Sequence, residues 1–403
     1  MVLRAFPWLL CLLLACGSFV GCGPANNQKV VKIVSSLPRT GSAKDQTTTI
    51  VNGIRLAIAE AGGKVGEYEI QYLDMDDATA AAGEWTSEAE TSNAQRAARD
   101  ADVMVYIGPF NSGAAKVSMP ILNQAGLLMI SPANTNPGLT KPEYAKPGEL
   151  EGLRPTKKLN YTRVVPTDEL QGPLTADFAQ KDLKAKTVFI LDDNQVYGKG
   201  IADLFHARCK EIGLEVLGHD SVNKAQEYKS LMTSIQSKNP DVIYFGGTTQ
   251  TNAPQLVKDM VAVGLNAKMI MPDGCFENAF ITAAGAENLN ERVYITFGGL
   301  PPDGLTGDGE KFVKAYKEKY NGSPEAYAVY GYECGKVAVE CIRRGGKDRA
   351  KVVEAAFGLK DFQSALGTWS VDPNGDTTKR VISVNTVRDG KFAFVKELTE
   401  NKK

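Results

Sequence analysis

The chain has 403 residues, more than one hydrophobic core usually covers, so its length predicts two domains. Hydrophobic residues make up 43% of the sequence and charged residues 23%, as is typical of a soluble globular protein. The formal net charge of −1 lacks the excess of basic residues that marks nucleic-acid-binding proteins, so no nucleic-acid partner is predicted. The two histidines, His206 and His219, are too few and too scattered to predict a metal site.

The N-terminus has the layout of a secretory signal. One positive charge, Arg4, precedes an apolar run from Ala5 to Ala15 and a stretch of small residues. The run is too short for a membrane-spanning helix, so residues 1–21 are predicted to be a signal peptide. The motif "FVGC" resembles a bacterial lipobox, which makes Cys22 the predicted lipidated residue, with Cys16 as the alternative. Residues 22–28 would then form a tether to the membrane surface.

Four further cysteines follow, at positions 209, 275, 334 and 341. Cys334 and Cys341 lie seven residues apart on a predicted helix, a rise of roughly 10 Å that a disulfide cannot bridge. A disulfide between Cys209 and Cys275 stays open at this point. Because no C-x-x-C pair occurs, zinc or thioredoxin-like chemistry has no support.

From Lys29 onwards, short β-branched runs alternate with longer helical patterns. "KVVKIVSS", "YEIQYLDMDD", "VMVYIG" and "LLMIS" are predicted strands, and amphipathic stretches such as "TTIVNGIRLAIAEAGG" between them are predicted helices. A long segment rich in Pro, Gly and Lys follows, and the alternation of predicted strands and helices then resumes. The predicted strands of this second part are "KTVFILDD", "LEVLGHDSV", "DVIYFGG" and "AKMIMPD". Alternation of this kind predicts two α/β units, each with a mostly parallel sheet.

The C-terminal part begins with two helical stretches, "GEKFVKAYKEKYNG" and "PEAYAVYGYECGKVAVECIRRGG". Predicted strands joined by the turns "DPNGD" and "RDGK" follow them. Helical material followed by antiparallel strands indicates that the chain crosses between the two units more than once.

Motifs of known catalytic or cofactor sites are missing from the sequence. No G-x-G-x-x-G follows the first strand, and "GYECGKV" lacks the spacing of a phosphate loop. The acidic cluster from Asp74 to Asp77 is interpreted as a solvated turn at a strand end. We therefore predict that the protein is not an enzyme and uses no cofactor.

Polar residues follow several predicted strands, where open α/β sheets bind their ligands. Ser112 in "GPFNS" lies where a helix begins, and its hydroxyl could cap that helix or hold an anion. Thr135 in "SPANT" could converge on the same anion. In the second unit, Tyr197 and Asp273 offer an aromatic wall and a carboxylate for a cation. A site for a carboxylate opposite a site for an ammonium group would bind a zwitterion such as an amino acid.

Longer stretches of the sequence resemble a known family. "YIGPFNSGAAKVSMPILNQAGLLMISPANTNPGLT", "VVPTDELQGP", "LDDNQVYGKG" and "VIYFGG" are similar to the substrate-binding proteins of branched-chain amino acid ABC transporters. The resemblance runs from about Val30 to Val395. It implies the type I periplasmic binding protein fold, with two α/β lobes, three hinge strands and a ligand enclosed between the lobes.

The resemblance also implies bounds for the lobes. Residues 29–163 and 297–366 would form lobe 1, and residues 164–296 and 367–403 would form lobe 2. The hinge strands would fall near Tyr161–Asp168, Tyr294–Gly298 and Gly367–Trp369.

Ligand-binding roles carry over by position. Ser112 and Thr135 would hold an α-carboxylate, the carbonyl of Ala133 and the side chain of Asp273 would hold an ammonium, and Tyr197 would close over the ligand. The remaining positions expected at the ligand are Asn111, Asn134, Thr248, Gln46 and Tyr327. The resemblance implies an amino acid ligand, either branched-chain or another small polar or aliphatic one. Because several of these positions are polar, they favour a polar or smaller ligand over a branched-chain one.

The implied partners are a small-molecule ligand, ABC permease subunits and a membrane reached through the lipid anchor. The protein is expected to be monomeric and to lie outside the cytoplasm. Two alternatives stay open within the same fold: a binder of amides or urea, and a ligand-sensing receptor domain. An α/β enzyme is a third.

Overall fold

The computed structural model describes residues 29–400. The predicted signal peptide, tether and lipidation sites (Cys16 and Cys22) lie outside these residues. The strands are β1 (Val30–Leu37), β2 (Lys64–Val65), β3 (Tyr68–Asp76), β4 (Val103–Ile107), β5 (Leu128–Ser131), β6 (Tyr161–Arg163), β7 (Thr187–Asp192), β8 (Glu215–Ser221), β9 (Val242–Gly246), β10 (Lys268–Met271), β11 (Val293–Gly298), β12 (Phe362–Ser364), β13 (Gly367–Trp369), β14 (Ile382–Arg388) and β15 (Lys391–Leu398).

The helices lie between these strands, as the alternating pattern predicts. They are α1 (Lys44–Glu60), α2 (Ser87–Arg99), α3 (Ser112–Gln124), α4 (Glu149–Leu153), α5 (Asp168–Lys181), α6 (Val196–Ile212), α7 (Lys229–Lys238), α8 (Ala253–Ala262), α9 (Asn278–Ala284), α10 (Ala286–Leu289), α11 (Asp308–Tyr320), α12 (Ala328–Gly345) and α13 (Arg349–Phe357). Within the described range, no helix combines the length and the apolar character that crossing a membrane requires.

Two large sheets organise the chain. The first has the strand order β2-β3-β1-β4-β5-β6, and the second has the order β15-β14-β11-β10-β9-β7-β8. The strands from β1 and β3 to β6 are parallel, as are β7 to β11, whereas β2, β14 and β15 pair antiparallel. Central strands such as β4 and β9 are buried along their whole length, which explains their continuous apolar runs. The predicted class, two mostly parallel α/β units, is confirmed.

The late helices return to the first sheet. Helix α12 packs against α1 at a close crossing, where a Cβ on Gly331 would lie only 2.1 Å from the carbonyl oxygen of Ile50. Helix α13 packs on β4 and β5. The indole of Trp369 in β13 donates a hydrogen bond of 2.6 Å to Glu333 of α12, so the β12–β13 hairpin stays with these helices. Strands β14 and β15 then rejoin the second sheet.

The four described cysteines are all buried and free. The disulfide between Cys209 and Cys275, left open by the sequence, is therefore not present in the structure. Burial raises the pKa of the Cys209 thiol to about 12, and these side chains act as packed apolar groups.

One acidic side chain contradicts the interpretation of residues 74–77 as a solvated turn. Asp77 is fully buried, and neither of its carboxyl oxygens has a hydrogen-bond partner in the described part of the chain. Burial and the nearby charge of Glu90 raise its pKa well above the usual range. The sequence pattern missed this because it gives no sign that Glu90 of the following helix, α2, lies beside Asp77 in a region without water.

Candidate functional site

The loop "GPFNS" connects β4 to helix α3 at the edge of the first sheet. Gly108 has a φ of +130°, and a Cβ there would lie 2.3 Å from the carbonyl oxygen of Ser36, so only glycine fits. Asn111 occupies the N-cap position without a side-chain cap, and Ser112 is the first helical residue. The backbone N–H groups of this first turn have no carbonyl partner within the helix, which favours a bound anion.

The loop after β5 lies beside the helix start and is tied to it by Asn134. The Asn134 amide donates to the carbonyl of Phe110 at 2.8 Å and accepts a hydrogen bond from the Tyr161 hydroxyl at 3.2 Å. Its polar atoms thus have protein partners. Thr135, the next residue, is buried, and its hydroxyl faces the carboxyl group of Asp168 without completing a hydrogen bond of ordinary geometry to any residue in the range 29–400.

The opposite wall of the site is built around Asp273. Its carboxylate accepts hydrogen bonds from the Tyr197 hydroxyl (2.6 Å), the Gln171 amide (2.8 Å) and the Tyr327 hydroxyl. The N–H of Gly274 donates to the Tyr197 oxygen at 3.3 Å. Burial raises the pKa of Asp273, since desolvation disfavours its charged form.

A second buried carboxyl group, Asp168, lies close to Asp273. Asp168 is the first residue of α5 and is fully buried, and its two carboxyl oxygens have no hydrogen-bond partner in the described range. Burial and the charge of Asp273 raise its pKa well above the usual range. Its N–H donates to the carbonyl of Thr135 at 2.9 Å, which holds it beside that loop. Two adjacent buried carboxyl groups require a shared proton or a cation from outside.

From the sequence, Asp168 is expected only at the end of the first hinge strand and not at the ligand site. An aspartate at a predicted helix start is usually an exposed residue that favours the helix dipole. No local signal indicates that the second sheet would bury it next to residue 273.

These walls enclose a partly open cavity with about 260 Å³ of space unfilled by protein atoms. Seven of the ten residues expected at the ligand line it, together with two that were not expected. The expected residues are Asn111, Ser112, Ala133, Tyr197, Thr248, Asp273 and Tyr327, and the additional ones are Phe110 and Gly274.

Three expected residues lie near the cavity without lining it: Gln46, Asn134 and Thr135. The Gln46 amide donates to the carbonyl of Phe276 at 3.4 Å, so it bridges α1 and the loop after β10. Asn134 and Thr135 follow Ala133 in the same loop, and both are buried.

Aromatic packing fixes Tyr327, which reaches the cavity from the start of α12. The Phe110 ring lies edge-on to it at a centroid distance of 5.6 Å, and the Phe297 ring does so at 5.3 Å. These contacts hold the Tyr327 hydroxyl towards Asp273. Phe110 was missed because its role depends on a helix more than 200 residues away in the sequence.

The two histidines are in contact, so the view that they are scattered is wrong. The Nδ1 atoms of His206 and His219 lie 2.9 Å apart, and Nε2 of His219 lies 3.0 Å from Asp192. No group of three or more His, Cys, Asp or Glu residues suited to a metal ion occurs within residues 29–400.

Comparisons with known proteins agree with this fold. A family model described as periplasmic binding protein matches residues 30–391. An amino acid binding protein of Pseudomonas aeruginosa is 29% identical over 326 residues, which cover 79% of each chain. A Leu/Ile/Val-binding protein homolog of Brucella abortus is 29% identical over 344 residues, 84% of this chain and 85% of that protein.

Among solved structures, a leucine binding protein from Thermotoga maritima is similar, with a TM-score of 0.81 and 27% identity. The match covers 92% of this chain and 99% of that one. The chain belongs to the periplasmic binding protein family, and its two mostly parallel sheets with the site between them have the type I fold of that leucine binding protein.

Proposed function

We propose that the protein captures an α-amino acid outside the cytoplasm and delivers it to the permease of an ABC importer. One observation carries this proposal. A single cavity has the start of helix α3, with Ser112, on one side and the buried carboxyl group of Asp273 on the other. The two ends match the opposite charges of a zwitterion.

The carboxylate end of the ligand is assigned to the first sheet. The free N–H groups of the first α3 turn and the Ser112 hydroxyl donate to it, and the unpartnered Thr135 hydroxyl lies in the adjacent loop. Hydrogen bonds to a charged group contribute about 1.5–3 kcal/mol each, and micromolar affinity requires about 8 kcal/mol. A handful of such contacts therefore supplies most of the affinity.

The ammonium end is assigned to Asp273, with the carbonyl of Ala133 as a further acceptor. An ammonium near Asp273 and Asp168 would favour the charged form of these carboxyl groups and offset their desolvation. Tyr197 and Tyr327 hold Asp273 in place and cover the ligand.

We further propose that capture proceeds by closure of two lobes with the expected bounds, 29–163 and 297–366 against 164–296 and 367–403. Because the Trp369 side chain packs on α12, we propose one adjustment to these bounds. The chain would pass from lobe 1 to lobe 2 for the last time after β13, and not at residue 367. Such closure needs neither catalysis nor a cofactor, and a monomer suffices.

The mature protein is proposed to be anchored through a lipid on Cys22, or alternatively on Cys16. This membrane anchor would keep the binding protein close to its permease. Labelling of cells with a fatty-acid analogue should mark the wild-type protein and lose the label in the variant that lacks the correct cysteine.

Calorimetry with a panel of amino acids tests the ligand class. At least one α-amino acid should bind, and Ser112→Ala should weaken its binding by about 10- to 100-fold, the equivalent of one charge-assisted hydrogen bond. Asp273→Asn should weaken it similarly. Ser118→Ala, in the same helix but off the cavity, is the matched control and should bind as the wild type does.

A neutral ligand is the second candidate, favoured by the raised pKa of Asp273. In its protonated form this carboxyl group can donate a hydrogen bond to an amide carbonyl. If amides or urea bind and no free α-amino acid does, the zwitterion assignment is wrong and this second candidate stands.

A further inference from the structure

A second cavity adjoins the first one. It contains about 270 Å³ of space unfilled by protein atoms and shares four lining residues with the first: Asn111, Ser112, Tyr197 and Thr248. Its other lining residues are Glu84, Gly113, Asp193, Gln195 and Thr251. Part of this space is open to solvent, and the room between the walls is about 10 Å³, enough for about one water molecule. The lining of the first cavity thus continues past Asn111 and Thr248 to Asp193 and Glu84, and a ligand side chain would enter there by displacing that water.

The junction between the two cavities presents unpaired polar atoms. The buried side-chain oxygen of Asn111 has no hydrogen-bond partner in the part of the chain that the structure describes. The buried hydroxyl of Thr248 faces the Thr251 N–H as an N-cap, and it donates to no acceptor among the described residues. Covering such a group with an apolar side chain costs about 1–3 kcal/mol. A branched aliphatic side chain placed here would leave both groups unpaired.

The second cavity is also acidic. Asp193 is 6% exposed, accepting hydrogen bonds from the Gln195 N–H and the Thr251 hydroxyl, each at 3.0 Å. Glu84 lines the same cavity, and neither set of lining residues includes a lysine or an arginine. Burial raises the pKa of Asp193 to about 7 and also raises that of Glu84, whose charge Lys224 partly offsets. These walls therefore supply hydrogen-bond acceptors that attract a donor, and a third carboxyl group beside them is disfavoured.

We propose that the ligand is an α-amino acid whose side chain ends in a hydrogen-bond donor and passes Asn111 and Thr248 towards Asp193 and Glu84. The donor is a hydroxyl, an amide N–H or an ammonium group. This inference rests on the proposed zwitterion site and adds the class of the side chain. Leucine and valine are poor ligands for this protein, and glutamate is disfavoured by its side-chain carboxyl group.

Calorimetry with three pairs of L-amino acids tests the side-chain class in the full mature chain. Serine and threonine carry a hydroxyl, glutamine and ornithine carry an amide and an ammonium, and leucine and glutamate lack a donor. The tightest ligand should be one of the first four and should bind at least 10-fold more tightly than leucine. If leucine or glutamate binds most tightly, the inference is overturned while the zwitterion site stands. If none of the six binds, the inference is overturned, and the zwitterion site falls with it only when the wider panel of α-amino acids also contains no ligand.

A variant pair tests the junction itself. Thr248→Val and Asn111→Leu replace the unpaired polar groups by apolar ones of similar size, so each should lower the ratio of donor-ligand affinity to leucine affinity by 10-fold or more. Thr249→Val, whose side chain lines neither cavity, should leave the ratio unchanged. Because both ligands are measured on the same variant, partial destabilisation cancels. An unchanged ratio in both junction variants overturns the inference.

Discussion

At the level of single residues, the buried carboxyl groups distinguish this protein from an average soluble domain. Glu90 is fully buried and accepts hydrogen bonds from the hydroxyls of Ser36 at 2.6 Å and Tyr106 at 2.8 Å. Burial nevertheless raises the pKa of Glu90 to about 7, and Asp77 lies beside it. This pair lies behind the "GPFNS" loop, because Ser36 also contacts Gly108.

The raised pKa of Glu90 makes stability depend on pH. A carboxyl group that is easier to protonate in the folded state stabilises the fold at acidic pH, and this contribution is lost as pH rises from about 4.5 through about 7. Glu90→Gln removes the charge and keeps an acceptor. At pH 8 it should increase the free energy of unfolding by on the order of 2 kcal/mol, with little change at pH 5.

Urea denaturation at the two pH values measures this difference. Glu88→Gln, an exposed neighbour in the first turn of α2, serves as the control and should show no such pH-dependent gain. Equal effects of Glu90→Gln at pH 5 and pH 8 would contradict the prediction.

At the level of elements, strand β6 positions the loop that follows β5. The buried Arg163 side chain donates from Nε to Asp376 at 2.7 Å and from Nη1 to the carbonyls of Asn134 at 3.1 Å and Asn136 at 2.7 Å. These two carbonyls flank Thr135. One guanidinium group therefore connects the proposed carboxylate-binding loop to the segment around Asp376, which follows β13.

Arg163→Lys should loosen this loop, because a single ammonium cannot reproduce the planar fork of donors. We expect a loss of about 3 kcal/mol in the free energy of unfolding and roughly 10-fold weaker ligand binding. Denaturant unfolding and calorimetry measure the two effects. Arg154→Lys, which contacts the carbonyls of Leu139 and Thr140 further along the loop, should leave ligand affinity unchanged. Normal affinity in a folded Arg163→Lys protein would refute this positioning role.

At the level of the whole molecule, hydrogen bonds join the two halves across the cleft. The Asn136 amide donates to the carbonyl of Val196 at 3.1 Å, next to Tyr197, and the Asn278 amide donates to Glu325 at 3.0 Å on the other side. The Asn136 side-chain oxygen accepts from the N–H of Gly138, which fixes the turn it starts. These contacts belong to a closed arrangement of the two sheets.

Asn136→Asp separates these two roles, since it keeps the oxygen that Gly138 uses and loses the donor to Val196. Ligand affinity should fall by about 2- to 10-fold, through faster dissociation, because one neutral hydrogen bond contributes about 0.5–1.5 kcal/mol to the closed state. Stopped-flow binding measures the rates. Asn321→Asp, at the end of α11 and off the cleft, is the control, and equal dissociation rates in all three proteins would contradict a role in closure.

Much of the architecture could be predicted from the sequence because it depends on local patterns. The apolar runs of β4 and β9 and the helical periodicity between them predict two parallel sheets. Since parallel strands end at the same edge, the loops holding Ser112, Tyr197 and Asp273 could be predicted to face one cleft.

Only the tertiary structure decided which side chains are buried together. Asp77 and Asp168 look like ordinary exposed acids in the sequence, and their pKa values rise because other segments of the chain remove water from them and bring Glu90 close to Asp77 and Asp273 close to Asp168. Phe110 joins the cavity through its contact with Tyr327 of a remote helix. Local sequence therefore determined the elements and their loops, whereas charge, solvation and the exact walls of the site depend on packing between residues far apart in the chain.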